Sequence, residues 1–183
     1  MLKFLKLKNK ELMLCGLFVA LIVVGSFIKI PIFGVPFTLQ TLFVMLAAQL
    51  LGARISFWTI VCYIVTGLIG LPVFAGGGGI SYVFTPTFGY IIGFLIAAPV
   101  IGYFSHKGSA SFKKLLISNI AGIVVIYFFG ILHFVLINAL YLGQAVSALN
   151  VLVFCFAVFI PSDLIFCFLS AFLAVRLKKS IKM

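Results

Sequence analysis

One carboxylate inside an apolar run is the side chain of this sequence best suited to polar chemistry. Asp163 follows Pro161 and Ser162 in a stretch otherwise rich in Phe, Leu, Ile and Val. An ionised Asp at the centre of a bilayer costs about 2.5–3.5 kcal/mol on insertion scales, so such a residue is expected to face a cavity or a partner group. A carboxylate accepts hydrogen bonds, which suits a ligand carrying N–H donors; the plainer reading is an acceptor that ties two helices together. The only other acid, Glu11, stands where a helix is expected to begin, and there it favours the helix dipole. His133 falls within an apolar run and reads as a core histidine, and His106 in a basic turn reads as solvated.

A second unusual segment holds Gly76, Gly77, Gly78 and Gly79 between Pro72 and Pro86. Such a run lets the backbone approach a ligand closely or fold over it as a lid. It lacks the Gly-Lys-Ser/Thr ending of a phosphate-binding loop, so no ATP site is expected. Cys15, Cys62, Cys155 and Cys167 lie in apolar stretches without metal-ligand spacing and are read as packing residues; no metal site is expected. With no Gly-x-Ser-x-Gly, no His-Glu-x-x-His and no second acid in the spans, an intramembrane enzyme using Asp163 and His133 is a minor alternative.

The elements that must position these residues are membrane helices. Of 183 residues 65% are hydrophobic and only 8% charged, against roughly a quarter charged in soluble domains. That leaves too little polar side chain to cover a water-soluble surface. The net charge of +11 comes in clusters between apolar runs, a pattern of membrane topology and not of a nucleic-acid groove. Spans are expected at 12–30, 37–51, 55–71, 88–104, 115–140 and 149–177, each near the length a bilayer requires. The first is too long for a signal-peptide core and is read as a membrane helix, with Pro31, Gly34 and Pro36 breaking it into a loop.

Six spans with the N-terminus inside place 12 of the 13 basic residues on the cytoplasmic side, Lys3, Lys6, Lys8 and Lys10 at one end of the chain and Lys182 at the other among them, and leave only Lys29 outside. The expected fold is therefore an all-α membrane protein, a compact six-helix bundle over residues 1–183 forming one domain, with both termini cytoplasmic. Asp163 would then lie near the middle of the last span. Gly16 and Ala20 form a small-xxx-small pair on the first helix, a surface for close helix contact within the bundle or with another subunit. Trp58, Tyr63, Tyr90 and Tyr103 read as packing or interfacial anchors.

Several segments resemble the BioY family, the biotin-binding S-components of energy-coupling factor (ECF) transporters. They are Val35-Pro-Phe-Thr-Leu-Gln-Thr-Leu-Phe43, Gly67-Leu-Ile-Gly-Leu-Pro-Val-Phe-Ala-Gly-Gly-Gly-Gly79, Pro86-Thr-Phe-Gly-Tyr-Ile-Ile-Gly-Phe94, Tyr127-Phe-Phe-Gly130 and Pro161-Ser-Asp-Leu-Ile165. The resemblance implies a bacterial plasma-membrane protein with a ligand cavity near the outer face, closed by the first and third loops. It implies as partners a transmembrane coupling protein and two cytoplasmic ATPases, with Gly16 and Ala20 on the docking face, and no cofactor.

For biotin as cargo, Asp163 would accept from the ureido N–H groups. Ser81, Thr85, Thr87 or Gln40 would serve the ureido carbonyl, and Lys29 would attract the carboxylate. Gly76 to Gly79 and Tyr90 would complete the site. Two positions depart from the family's pattern. Phe166 stands where a Lys usually follows the Asp by three residues, and Thr85-Pro86-Thr87-Phe88-Gly89-Tyr90 replaces Gly-Pro-Thr-Gly-Gly-Tyr. Both make the cavity more apolar, so a lipoate-like or biotin-precursor carboxylate is the alternative cargo.

Overall fold

The computed structural model of the chain describes residues 7–32, 35–108, 111–143, 151 and 159–181. Lys3, Lys6, Cys155, Lys182 and the expected start of the last span at 149 lie outside them. Among the described residues five helices are long and apolar enough to cross a membrane. They are α1 (Asn9–Phe27), α2 (Gln40–Leu68), α3 (Phe88–His106), α4 (Phe112–Leu140) and α5 (Ile160–Ile181). Exposed Leu17, Val24, Val65, Val124, Phe128, Ile165 and Phe168 give the bundle an apolar exterior, the side-chain chemistry lipid requires.

The helix α2 is two antiparallel arms. Gly52 sits at φ 78, ψ 174 inside it, a conformation that glycine adopts without steric cost. On either side, Gln40 Nε2 donates to Tyr63 OH at 2.8 Å across 23 residues, which a straight helix would hold roughly 34 Å apart. Ser56 Oγ closes the turn by donating to the Gly52 carbonyl at 2.7 Å. Arms 40–51 and 53–68 thus follow the second and third apolar runs of the sequence, and the turn between them is a single glycine.

Small residues decide how closely the helices pack, because lipid offers no hydrophobic drive between apolar helices. Gly89 and Gly93 on α3 face α4 so closely that a Cβ at Gly93 would lie 2.8 Å from the Ile126 Cα. Gly102 abuts the backbone of Ala53 at the α2 turn. A buried polar staple joins three helices: Gln49 Nε2 donates to Asn119 Oδ1 (2.8 Å), and Asn119 Nδ2 donates to Ser170 Oγ (2.7 Å) and the Cys167 carbonyl (2.9 Å). Cys15 and Cys167 are buried and free, as packing residues would be, whereas Cys62 is exposed.

Two connections are more ordered than loops of their composition suggest. The Pro-rich link after α1 forms an antiparallel hairpin, β1 (Lys29–Ile32) with β2 (Val35–Thr38), in which Pro31 lies opposite Pro36. A two-stranded ribbon has only edges, where proline's missing N–H is tolerated. Between α2 and α3, a 3₁₀ turn (Ile80–Phe84) follows the glycine run. Gly77 and Gly79 take φ of 128° and 100°, and the folded-back loop inserts Phe74, 1% exposed, against Tyr63, Tyr82, Phe88 and the bare backbone of Gly67.

The two ends of the bundle differ in charge. Lys178 Nζ donates to the Ser105 carbonyl at 3.3 Å, and the His106 ring lies 3.5 Å from where a Gly52 Cβ would be. The α2 turn, the end of α3 and the end of α5 therefore meet at one end, with Arg54, Lys107 and Lys179 nearby in sequence. Lys29 is at the opposite end, bonded to the Ala75 carbonyl at 3.0 Å.

Candidate functional site

Asp163 is in the first turn of α5, two residues after Pro161. This differs from its expected place near mid-span. Proline fits the first turn of a helix, whose N–H groups have no intrahelical partner, so Pro161 permits a helix start just before the carboxylate. The carboxylate then gains from the positive end of the helix dipole. It is 8% exposed, and Tyr127 OH on α4 donates to its Oδ2 at 2.8 Å. The other oxygen, Oδ1, has no hydrogen-bond partner among the described residues. Asp163 is thus both the interhelical acceptor of the plainer reading and a wall of a cavity.

That cavity opens at the Lys29 end. Thr38, Gln40 and Thr41 form one wall where the hairpin enters α2; Ala75, Tyr82 and Thr87 form the roof; Tyr90, Ile91 and Phe94 of α3, Ile126 of α4, and Phe159 with Asp163 form the rest. Aromatic contacts set the wall next to the carboxylate: the Tyr90 ring lies 6.2 Å from that of Tyr127 and 5.9 Å from that of Phe159.

Gln40 is polarised by its neighbours. The Tyr63 hydroxyl has one proton, and it donates to the Val73 carbonyl at 3.1 Å. Its oxygen must then accept from Gln40 Nε2, which commits one of the two Nε2 N–H donors and leaves the carbonyl oxygen and the second N–H for other partners. Gln40 thus keeps the donor capacity expected of it and adds an acceptor. Ser26 Oγ also donates to the Val73 carbonyl, at 2.7 Å, so α1, both arms of α2 and the loop above share one buried chain of hydrogen bonds.

Of the other expected residues, Thr87 and Tyr90 line the cavity. Thr85 lies just behind, its hydroxyl 3.5 Å from that of Thr87 and donating to the Tyr82 carbonyl at 2.7 Å. Gly76, Gly77, Gly78 and Gly79 are not among the lining residues. Gly76 N–H donates to Tyr82 OH at 3.3 Å and Gly78 packs on the Leu71 backbone, so the run is a folded turn that delivers Ala75 and Tyr82 to the roof. Ser81 is exposed and off the cavity. Lys29 does not line the cavity but donates to the Ala75 carbonyl, where it ties hairpin to roof. Phe166 is buried at 6% exposure and also off the cavity; the donor to Asp163 comes from Tyr127 instead. His133 packs on the Phe88 ring at 6.0 Å and does not line the cavity, so it forms no acid–base pair with Asp163.

Thr38, Thr41, Tyr82 and Tyr127 are the residues that sequence reasoning passed over. The signal for the first two was their place beside Gln40 in the segment 35–43; for Tyr127 it was only its membership of the segment 127–130. Among the described residues no group of three His, Cys, Asp or Glu side chains could hold a metal ion. The site offers a carboxylate oxygen and an amide carbonyl as acceptors, threonine hydroxyls as donors, and apolar walls. Such a lining is complementary to a small molecule with N–H donors and an apolar body.

These features define a membrane-embedded helical bundle with a small-molecule pocket at one end. The family model of the BioY family matches residues 2–183, and the chain belongs to that family. A probable biotin transporter BioY from Lysinibacillus sphaericus is 44% identical over 170 residues, covering 92% of this chain and 87% of its own. The biotin transporter BioY of Thermotoga maritima is 42% identical over 171 residues, 93% of this chain and 96% of its own. The crystal structure of the S-component for biotin from an ECF-type ABC transporter superposes with a TM-score of 0.82 at 29% identity, covering 95% of each chain.

Proposed function

We propose that this protein is the biotin-binding S-component of an ECF-type ABC uptake transporter, a transport subunit and not an enzyme. The observation that carries the reading is the pairing of Asp163, held by Tyr127, with the Gln40 amide, held by Tyr63, at one apolar cavity. The ureido ring of biotin has two N–H donors and one carbonyl acceptor. Asp163 Oδ1 and Gln40 Oε1 take the donors, and the hydroxyl of Thr38, Thr41 or Thr87 serves the carbonyl. Phe94, Ile91, Ile126 and Phe159 suit the thiophane ring and valeryl chain.

In this reading residues 1–183 form one substrate-binding domain that crosses the bacterial plasma membrane six times, α2 contributing two crossings through its Gly52 turn. Both termini are cytoplasmic, which agrees with the basic end described above, and the cavity opens outward. A coupling protein and two ATPases complete the transporter. The exposed positions of Gly16 and Ala20 on α1 support a docking role: a Cβ built at Gly16 meets nothing within 4 Å, so neither residue is needed inside the bundle.

Titration of the purified protein with biotin, together with mass spectrometry of any small molecule that co-purifies, tests this reading. Saturable one-to-one binding that is lost in Asp163→Asn supports it. A lipoate-like ligand in place of biotin, or tight biotin binding that ignores Asp163, overturns it.

A further inference from the structure

A second cavity, of about 340 Å³, lies at the opposite, basic end of the bundle, where α3 ends and α4 begins. Its floor is apolar, from Phe104, Ile117 and Ala121, and its rim carries Lys107, Lys113 and Lys114. Lys107 Nζ stands 5.8 Å from the centre of the Tyr103 ring. These ammonium groups have no side-chain carboxylate to pair with anywhere in the chain. The sequence contains two acids: Glu11 accepts from the Lys8 backbone N–H at 2.8 Å, and Asp163 is at the other end with Tyr127. A further cation, Lys178, is at this same end, on the Ser105 carbonyl. Counter-charge must therefore come from outside the protein.

We propose that this groove is a binding site for the headgroup of an anionic phospholipid. The three lysines meet the phosphate, and the apolar floor below them receives the upper part of an acyl chain. Free inorganic phosphate would satisfy the lysines but has no use for Phe104, Ile117 and Ala121. Basic pockets between helices on the cytoplasmic side suit anionic headgroups, and each lysine near such a surface contributes to the attraction. The site is independent of the cargo cavity and of what that cavity binds.

Native mass spectrometry of the full chain with phosphatidylglycerol, phosphatidylcholine or inorganic phosphate tests the proposal. Lys107→Gln/Lys113→Gln/Lys114→Gln is compared with Lys8→Gln/Lys10→Gln/Lys179→Gln, which removes the same charge elsewhere. The expected result is retention of phosphatidylglycerol over phosphatidylcholine by the wild type and the control, and at least a roughly tenfold loss of retention in the groove variant. Cargo binding by all three proteins shows that they are folded. Equal loss in both variants, equal retention of the two lipids, or phosphate displacing phosphatidylglycerol overturns the assignment.

Discussion

The Tyr127 hydroxyl of α4 donates to Asp163 Oδ2 of α5 across 2.8 Å in a buried setting. It gives the carboxylate a neutral donor from another helix, while the position three residues after Asp163 is held by buried Phe166. A neutral donor fixes one carboxylate oxygen without adding a charge to the site.

Replacing Asp163 by Asn keeps the shape but puts a donor where an N–H of the cargo must approach. Biotin affinity is expected to fall well over tenfold in calorimetric titration. Tyr127→Phe removes the fixed donor, and a hydrogen bond to a charged group is worth about 1.5–3 kcal/mol, so affinity, thermal stability or both should fall by that order. Wild-type affinity and melting in Tyr127→Phe would show the bond to be idle.

Tyr63 is fully buried and does not line the cavity, so any effect it has on cargo passes through its partners, Gln40 on one side and the loop at Val73 and Phe74 on the other. Tyr63→Phe frees the Gln40 amide to rotate, and biotin affinity should drop by roughly tenfold, the scale of one net hydrogen bond. In a Gln40→Leu background the same change should cost almost nothing further. Residues coupled in one network are non-additive in this way; fully additive losses in the double-mutant cycle would show that Tyr63 supports only the fold.

Lys29 bridges the hairpin and the cavity roof through the Ala75 carbonyl. Lys29→Met is expected to speed the release of biotin and of biotin amide by similar factors, because the roof is loosened for both. If only biotin were affected, Lys29 would be contacting the cargo carboxylate and the bridge would be incidental. Stopped-flow release measurements on both ligands separate the two.

Gly93 meets the Ile126 backbone too closely for a side chain. Gly93→Leu should separate α3 from α4 and lower the melting temperature by several degrees in detergent, a loss on the order of 1–3 kcal/mol from overpacking. Gly16→Leu, on an open face, should leave the melting temperature near that of wild type and is expected to weaken assembly with the coupling protein, read by co-purification.

Much of this arrangement was legible in the residues because a bilayer is a strict solvent. It forbids uncompensated charge and unpaired backbone, so apolar run lengths located the helices, and a lone Asp in such a run pointed to a residue that lines a cavity. Even the hairpin turn of α2 was marked, since Gly52 separates two apolar stretches. The start of α5 was not, because hydropathy runs on past Pro161 while the helix bounds depend on which N–H groups are bonded.

What the chain order could not decide were directions and partnerships between distant side chains. Gln40 donates one amide N–H to Tyr63, 23 residues away, because the Tyr63 hydroxyl already gives its one proton to Val73. Lys29 meets a backbone carbonyl 46 residues on, and Asp163 finds its donor 36 residues back. Composition and periodicity record how each residue is solvated, which is local; a hydrogen bond is directional and exclusive, so its polarity is set only once packing has brought both groups together.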